Sequence, residues 1–189
     1  MKSELTTYSD NDLYLQLAGE PSQAVSAALM ELYRRYGQRI YTYSRKILGD
    51  SHTAEDVTQE VFTQLYKAGA AGDVVLNLPS YIYRIARNQC ITYRKRISSR
   101  FVGLDDFEME SHDVAYENKE LQNLITTSLE LLPEDYREAL VLHEYNGCSY
   151  EEIAEILNIS LDLVKVRIFR AKKKLRELLS PYIEDIQEQ

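Results

Sequence analysis

Near the C-terminus two helix signals stand only a short turn apart, and that spacing leaves few folds open. Ser149-Tyr-Glu-Glu152 is a capping box: the serine hydroxyl accepts from the amide three residues on, and the glutamate there reaches back to the serine amide. Ile153, Ala154 and Leu157 give the short helix behind it an apolar inner side. Asn158-Ile159-Ser160 then reads as a tight turn whose serine caps a second, longer helix. Two helices joined by a turn of about three to four residues make a helix-turn-helix. Its second helix is the one that enters a DNA major groove.

That second helix has a legible division of faces. Leu161, Val164, Ile168, Ala171, Leu175 and Leu178 are spaced for burial. Opposite them fall Asp162, Val166, Phe169, Arg170 and Lys173, with Lys165, Arg167 and Lys174 on the flanks. Outward Val166 and Phe169 suit thymine methyl groups, and Arg170 suits a bidentate bond to guanine. The flanking cations suit phosphates. A partner-binding or coiled-coil helix is the plainer alternative. Against it, seven basic residues run from Leu163 to Arg176 with no acid among them, and such a helix repels its like.

The whole chain of 189 residues carries a net charge of −8, which argues against nucleic acid until the distribution is read. A second basic run lies between Tyr81 and Arg100, where Arg84, Arg87, Arg94, Lys95, Arg96 and Arg100 again occur without an acid. Laid out at about 100° per residue, that helix puts Ile82, Ile85, Ala86, Tyr93 and Ile97 on one side. Arg84, Arg87, Asn88, Arg94 and Lys95 fall on the other. A solvated face remains an alternative, although solvated helices ordinarily mix signs.

The rest of the chain is also helical in pattern, with only 7 Gly and 4 Pro. Helices are expected over residues 12–19, 23–48 and 80–98, and again from about Glu117. In the second of these Leu29, Leu32, Tyr33, Tyr36, Ile40, Tyr43 and Ile47 share a face, and Gly49 ends it. Thr53 is the expected cap of the next, which turns Ala54, Val57, Val61, Leu65 and Ala68 inward and Asp56, Gln59, Glu60 and Thr63 outward. Residues 69–78 break the period and read as a loop. In the C-terminal half, Leu121, Leu124, Ile125, Ser128 and Leu132 are spaced for burial, and Pro133 opens a helix with Tyr136, Ala139, Leu140 and His143 inward. The fold class is all-α: two small helical domains, residues 5–100 and 118–180, joined by an acidic linker over 101–117.

Other chemistry finds little support. Cys90 and Cys148 form no CxxC pair, and His52, His112 and His143 share no ligand spacing, so neither a metal nor a cofactor is expected. Glu55, Asp56 and Glu60 have no second carboxylate or histidine cluster near them in sequence, so no active site is expected. No apolar run approaches the length of about 20 residues that spans a membrane, the polar N-terminus lacks a secretion signal, and a cytoplasmic protein is expected.

Four blocks in fixed order now carry a resemblance. They are Ala54-Glu-Asp-Val-Thr-Gln-Glu-Val-Phe62, Leu78-Pro-Ser-Tyr-Ile-Tyr-Arg-Ile-Ala-Arg-Asn88, Leu132-Pro-Glu-Asp-Tyr-Arg-Glu-Ala-Leu140, and Ser149 to Ala154 with Val164 to Lys172. Together they resemble the extracytoplasmic-function (ECF) group of the sigma-70 family of bacterial RNA polymerase sigma factors, over residues 29–179. The resemblance implies an alternative sigma factor that binds core RNA polymerase and promoter DNA, and that an anti-sigma factor holds inactive. It makes Asp56, Gln59, Glu60 and Thr63 the polymerase contact. Tyr81, Arg84, Arg87, Asn88, Arg94 and Lys95, with the loop before them, become the contacts to the minus-ten element. Lys165, Val166, Arg167, Phe169, Arg170, Lys173 and Lys174 become those to the minus-thirty-five element. Three positions depart from the family pattern: Tyr81, Thr92 and Leu163 stand where tryptophan, aspartate and threonine are usual. Two rival readings are a sigma mimic that sequesters an anti-sigma factor without touching DNA, and an autonomous repressor using the helix-turn-helix alone.

Overall fold

The computed structural model describes residues 5–100 and 119–187. Among them every regular element is helical, and the chain divides into two compact units, Met1–Asp105 and Asp106–Gln189. The expected linker lies outside the described residues.

The first unit follows a short 3₁₀ turn, Leu5–Thr7, with α1 (Asp10–Leu15), α2 (Gln23–Leu48), α3 (Ser51–Ala71) and α4 (Leu78–Arg100). Leu32, Ile40, Tyr43, Val57, Val61, Leu65, Ile82 and Ala86 are buried in its core. Tyr43 meets Tyr83 edge to face at 6.0 Å, a geometry that favours the ring quadrupoles. A half-buried ion network ties the N-terminus to α2. The Glu31 carboxylate is bound by Arg34 at 2.7 and 2.8 Å and by Arg35 at 2.8 Å, and Arg35 reaches on to Asp10 at 2.7 Å. Those hydrogen bonds, from Arg34 first and then Arg35, hold the Glu31 carboxyl down at about 2.

Several boundaries differ from the expectation, each for a nameable reason. α1 begins at Asp10 rather than residue 12, because Ser9 and Asp12 form a capping box. α3 is capped by Asp50, whose side chain accepts from the Thr53 amide at 2.6 Å, so Thr53 is not the cap. Gly69 is no loop residue: α3 continues to Ala71 and ends on Gly72 in the left-handed region. A Cβ at Gly69 would stand 2.6 Å from the Leu17 Cβ, so glycine is there for close approach, not for a turn. α4 starts at Leu78, with the Asn77 side chain accepting from the Ser80 amide. Tyr33, expected inward, is 49% exposed and leans its ring on Phe62 at 4.8 Å.

The second unit holds α5 (Lys119–Glu130), α6 (Glu134–Glu144), α7 (Tyr150–Leu157) and α8 (Leu161–Gln187). The expected start of α5 at Glu117 and the side chain of Leu121 lie outside the described residues; of its other expected inner residues Ser128 is buried while Leu124 and Ile125 are half-buried. Leu129, which the spacing left out, is buried. Pro133 precedes α6, and Tyr136 and His143 on that helix are half-buried rather than buried. The Ser149–Glu152 capping box forms in both directions, at 3.1 and 2.7 Å. Asn158 takes the left-handed conformation at φ 54°, which asparagine tolerates better than most residues. Ser160 accepts from the Leu163 amide at 3.3 Å and starts α8. Val164, Ile168 and Ala171 are buried, as are Ile153, Ile156 and Leu142, in the core of this unit.

Candidate nucleic-acid and partner interfaces

The side chains of α8 that the spacing expected outward are exposed, with one exception. Phe169 is 69% and Val166 40% exposed, and the capping box and turn that aim the helix leave both clear of the core. Lys165, Arg170, Lys173 and Lys174 are exposed beside them. Lys165 lies 3.4 Å from Asp162, and Lys173 lies 3.9 Å from Glu177. These are exposed pairs of the kind that contribute little and exchange readily.

Arg167 is the exception. Its side chain is only 15% exposed and its Nη2 sits 2.6 Å from the Asp135 carboxylate on α6. Positions 164, 167, 168 and 171 form a continuous inner stripe at helical spacing, so Arg167 stands on the edge of the core. The sequence signal for this was that spacing; the partner, 32 residues away, gave none. One residue further along α6 and three further along α8, Arg170 donates from Nη1 to the Tyr136 hydroxyl at 3.2 Å. Lys172 is bound to Glu144 at 2.7 Å, and that hydrogen bond, more than any other cause, holds the Glu144 carboxyl below its ordinary value.

On α4, Arg84, Asn88 and Lys95 are exposed, whereas Tyr81, Arg87 and Arg94 are half-buried. Tyr81 meets the buried Tyr14 ring of α1 edge to face at 6.4 Å. Thr92 turns its hydroxyl back to the Asn88 carbonyl at 2.8 Å. The loop before α4 is shorter than expected, residues 73–77, and it carries two aliphatic side chains in the open: Val74 is 87% and Leu76 89% exposed. The Asn11 side chain donates to the Leu76 carbonyl at 3.2 Å and braces that loop from α1. Loop composition alone pointed to no role for Val74 or Leu76.

On α3, Asp56, Gln59 and Thr63 are exposed and Glu60 is half-buried. Asp56 accepts from the Tyr93 hydroxyl of α4 at 3.3 Å. Burial first, and the Asp56 charge second, push the Tyr93 phenol up. Beside this face runs a groove of about 1360 Å³, lined in part by Met30, Tyr33 and Tyr41 of α2 and by Glu55 and Gln59 of α3. Met30 is 70% exposed there, and nothing in the residue spacing of α2 marked it.

Cys90 and Cys148 are buried and neither is in a disulfide. Among the described residues no cluster of three or more His, Cys, Asp or Glu comes together as a metal site. No helix among them is long and apolar enough to cross a membrane.

Comparison with known proteins bears on both units. A family model described as Sigma-70 region 2 matches residues 32–100, and one described as Sigma-70, region 4 matches residues 122–175. The RNA polymerase sigma-H factor of Pseudomonas aeruginosa is 30% identical over 175 residues, covering 80% of this chain and 90% of the relative. The ECF RNA polymerase sigma factor SigW of Bacillus subtilis is 32% identical over 166 residues, covering 80% and 89%. Among solved structures, CnrH in complex with the cytosolic domain of CnrY superimposes with a TM-score of 0.70 at 26% identity, over 91% of this chain and 97% of that one.

Proposed function

The chain belongs to the ECF group of the sigma-70 family, and on that premise we propose that it is an alternative sigma factor that directs core RNA polymerase to two-element promoters and opens the downstream one. The single observation that carries the reading is the α8 face, where Val166 and Phe169 are exposed between cations. A helix needed only for folding has no use for an outward phenylalanine, but thymine methyl groups do. Lys165, Val166, Phe169 and Arg170 read the minus-thirty-five element in the duplex, while Lys173 and Lys174 neutralise phosphates. Arg167 is withdrawn from that list, since Asp135 already holds it.

On the other unit, Arg84, Arg87, Arg94 and Lys95 hold the backbone of the minus-ten element, and Asn88 with Tyr81 and the loop over 73–77 receives a base turned out of the stack. A pocket that binds an unstacked base lowers the free energy of the open strand, and aliphatic Val74 and Leu76 offer it apolar contact. Opening then needs no nucleotide hydrolysis by this chain, which performs no catalysis of its own. Asp56, Gln59, Glu60 and Thr63 form the polymerase contact. The net charge of −8 fits this division, because such a chain gains its hold on DNA within the holoenzyme rather than alone.

The complex of CnrH with the cytosolic domain of CnrY supports a protein partner for this chain too; the family resemblance makes that partner an anti-sigma factor, and the exposed Met30 and Tyr33 give it an apolar seat. The cytoplasm, where the polymerase works, is the compartment this function requires.

The test is reconstitution with the core polymerase of the same host and run-off transcription from a set of its promoters. Promoter-dependent transcripts that vanish when the chain is omitted are the expected result. Binding to core polymerase without any promoter-dependent transcript or DNA crosslink would instead indicate a sigma mimic.

A further inference from the structure

The first turn of α6 does not lie on the reading face of α8, yet it holds two of that helix's arginines. Asp135 and Tyr136 are consecutive, and Arg167 and Arg170 are one turn apart on α8. Asp135 accepts from Arg167 at 2.6 Å and the Tyr136 hydroxyl accepts from Arg170 at 3.2 Å. The turn itself is pinned from behind, because Arg137 donates to the Glu130 carbonyl at 2.6 Å and to the Leu132 carbonyl at 3.2 Å. Half-buried Tyr136 thus has little freedom to follow Arg170, whereas exposed Arg170 has several rotatable bonds.

We infer that Tyr136 is a positioning residue for base selection at the minus-thirty-five element, its hydroxyl fixing the Arg170 guanidinium in the orientation that meets a guanine edge. An arginine carries five N–H donors and no acceptor. Giving one Nη1 hydrogen to Tyr136 leaves Nη2 and the other Nη1 hydrogen for the two parallel bonds that guanine O6 and N7 accept. A long flexible cation loses rotamer entropy when it orders at an interface, and a guanidinium already tethered has less to lose. The Asp135–Arg167 pair supplies the fixed distance between α6 and α8 that the tether needs. This inference rests on the reading of Arg170 as a contact to the minus-thirty-five element.

The experiment uses reconstituted holoenzyme and a panel of promoters in which each base of the upstream element is changed singly. Three chains are compared with the unaltered one: Tyr136→Phe, Arg170→Ala and the double variant. Tyr136→Phe keeps the ring and removes only the hydroxyl. Discrimination is expected to fall roughly two- to tenfold at one base position, with the salt dependence of binding unchanged because no phosphate contact is lost. Arg170→Ala is expected to lose about tenfold or more at the same position, and the double variant no more than Arg170→Ala. If Arg170→Ala flattens one position while Tyr136→Phe leaves every ratio as it was, the tether is refuted and the reading of Arg170 stands. If Arg170→Ala changes no ratio, Arg170 is not a reader and both fall. A loss for Tyr136→Phe spread over all positions marks a merely structural tyrosine and also refutes the inference.

Discussion

α4 and α8 carry the same signature in sequence, a run of cations without an acid, and the fold puts the two runs to different uses. On α8 acids from elsewhere in the unit come to meet the cations: Asp135 holds Arg167 and Glu144 holds Lys172. Outward, beside exposed Lys173 and Lys174, lies a mixed strip of Lys165, Val166, Phe169 and Arg170, suited to base edges in a closed groove. On α4 the outward residues include Arg84, Asn88, Lys95 and Arg96, and the apolar contribution comes from the neighbouring loop, through Val74 and Leu76. A helix that offers apolar and cationic groups on one face suits an intact duplex. Cations beside a separate aliphatic loop suit a strand whose backbone and base go different ways. On the proposed reading both basic runs meet nucleic acid, and the placement of the apolar groups says in which state.

That difference is most open to attack by exchanging the readout. Phe169→Ala should weaken closed-complex formation on duplex promoters about tenfold and leave the opening step of the complexes that do form nearly unchanged. Asn88→Ala should do the reverse, with closed complexes intact and opening reduced by a similar factor, since a base edge left without its hydrogen-bond partner in a desolvated pocket costs about 1–3 kcal/mol. Electrophoretic mobility at low temperature measures the first and permanganate reactivity of unpaired thymines measures the second. Equal losses in both steps for either variant would break the comparison.

Next in size is the support of the loop. Gly69→Ala places a methyl group 2.6 Å from the Leu17 Cβ, and overpacking of that kind costs about 1–3 kcal/mol. Urea unfolding should show the first unit destabilised by that amount, with the second unit unmoved. Opening defects should follow in the holoenzyme, because Leu17 and the Asn11 brace come from the same N-terminal segment that the loop rests on.

How far the sequence alone could go follows from where each determinant lies. The helix-turn-helix was legible because its causes are local: the Ser149–Glu152 box, Asn158 in the left-handed turn and the Ser160 cap all act within four residues. The α2 span over residues 23–48 was legible for the same reason, closed at its end by Gly49. The end of α3 was not, because Gly69 answers to Leu17, a neighbour only in three dimensions. Tyr33 was placed inward by its angle on α2, but the neighbouring helix covers only one edge of its ring and the groove leaves the other open. Arg167 was placed on an outward flank by spacing, and its half-buried pairing depends on Asp135 from another helix. The misplacements share that cause: local spacing assigns a side, and a tertiary partner reassigns it.

Arg167 gives a smaller effect that separates the two kinds of cation on α8. If it is structural, Arg167→Ala lowers the stability of the second unit by about 1 kcal/mol and leaves the salt slope of promoter binding in place. Lys174→Ala should do the opposite, with stability unchanged and the slope reduced by about 1. Thermal unfolding and binding titrations across salt concentrations make the comparison. A reduced slope for Arg167→Ala would return that residue to the phosphate contacts.

The smallest effect concerns acid, and it contrasts the first unit with the second. Glu31 has its carboxyl lowered to about 2 by hydrogen bonds from Arg34 and Arg35. A carboxyl depressed in the folded state contributes stability at neutral pH, and that contribution fades as pH falls from the ordinary carboxylate range through about 2. Glu144 is lowered in the same direction, chiefly by the hydrogen bond from Lys172, but both partners are more than a third exposed and solvent screens the pair. The N-terminal segment that Arg35 ties to α2 should therefore lose hydrogen-exchange protection over residues 5–15 as pH falls below the carboxylate range, before residues 134–144 lose theirs. Exchange rates change with pH on their own account, so the comparison is between the two segments after that correction. Glu31→Gln should lower protection of 5–15 at neutral pH and flatten its acid dependence, without abolishing it, because Arg35 also binds Asp10. Equal acid sensitivity of the two segments, unaffected by Glu31→Gln, would mean that the Arg35 hub does not hold the N-terminus.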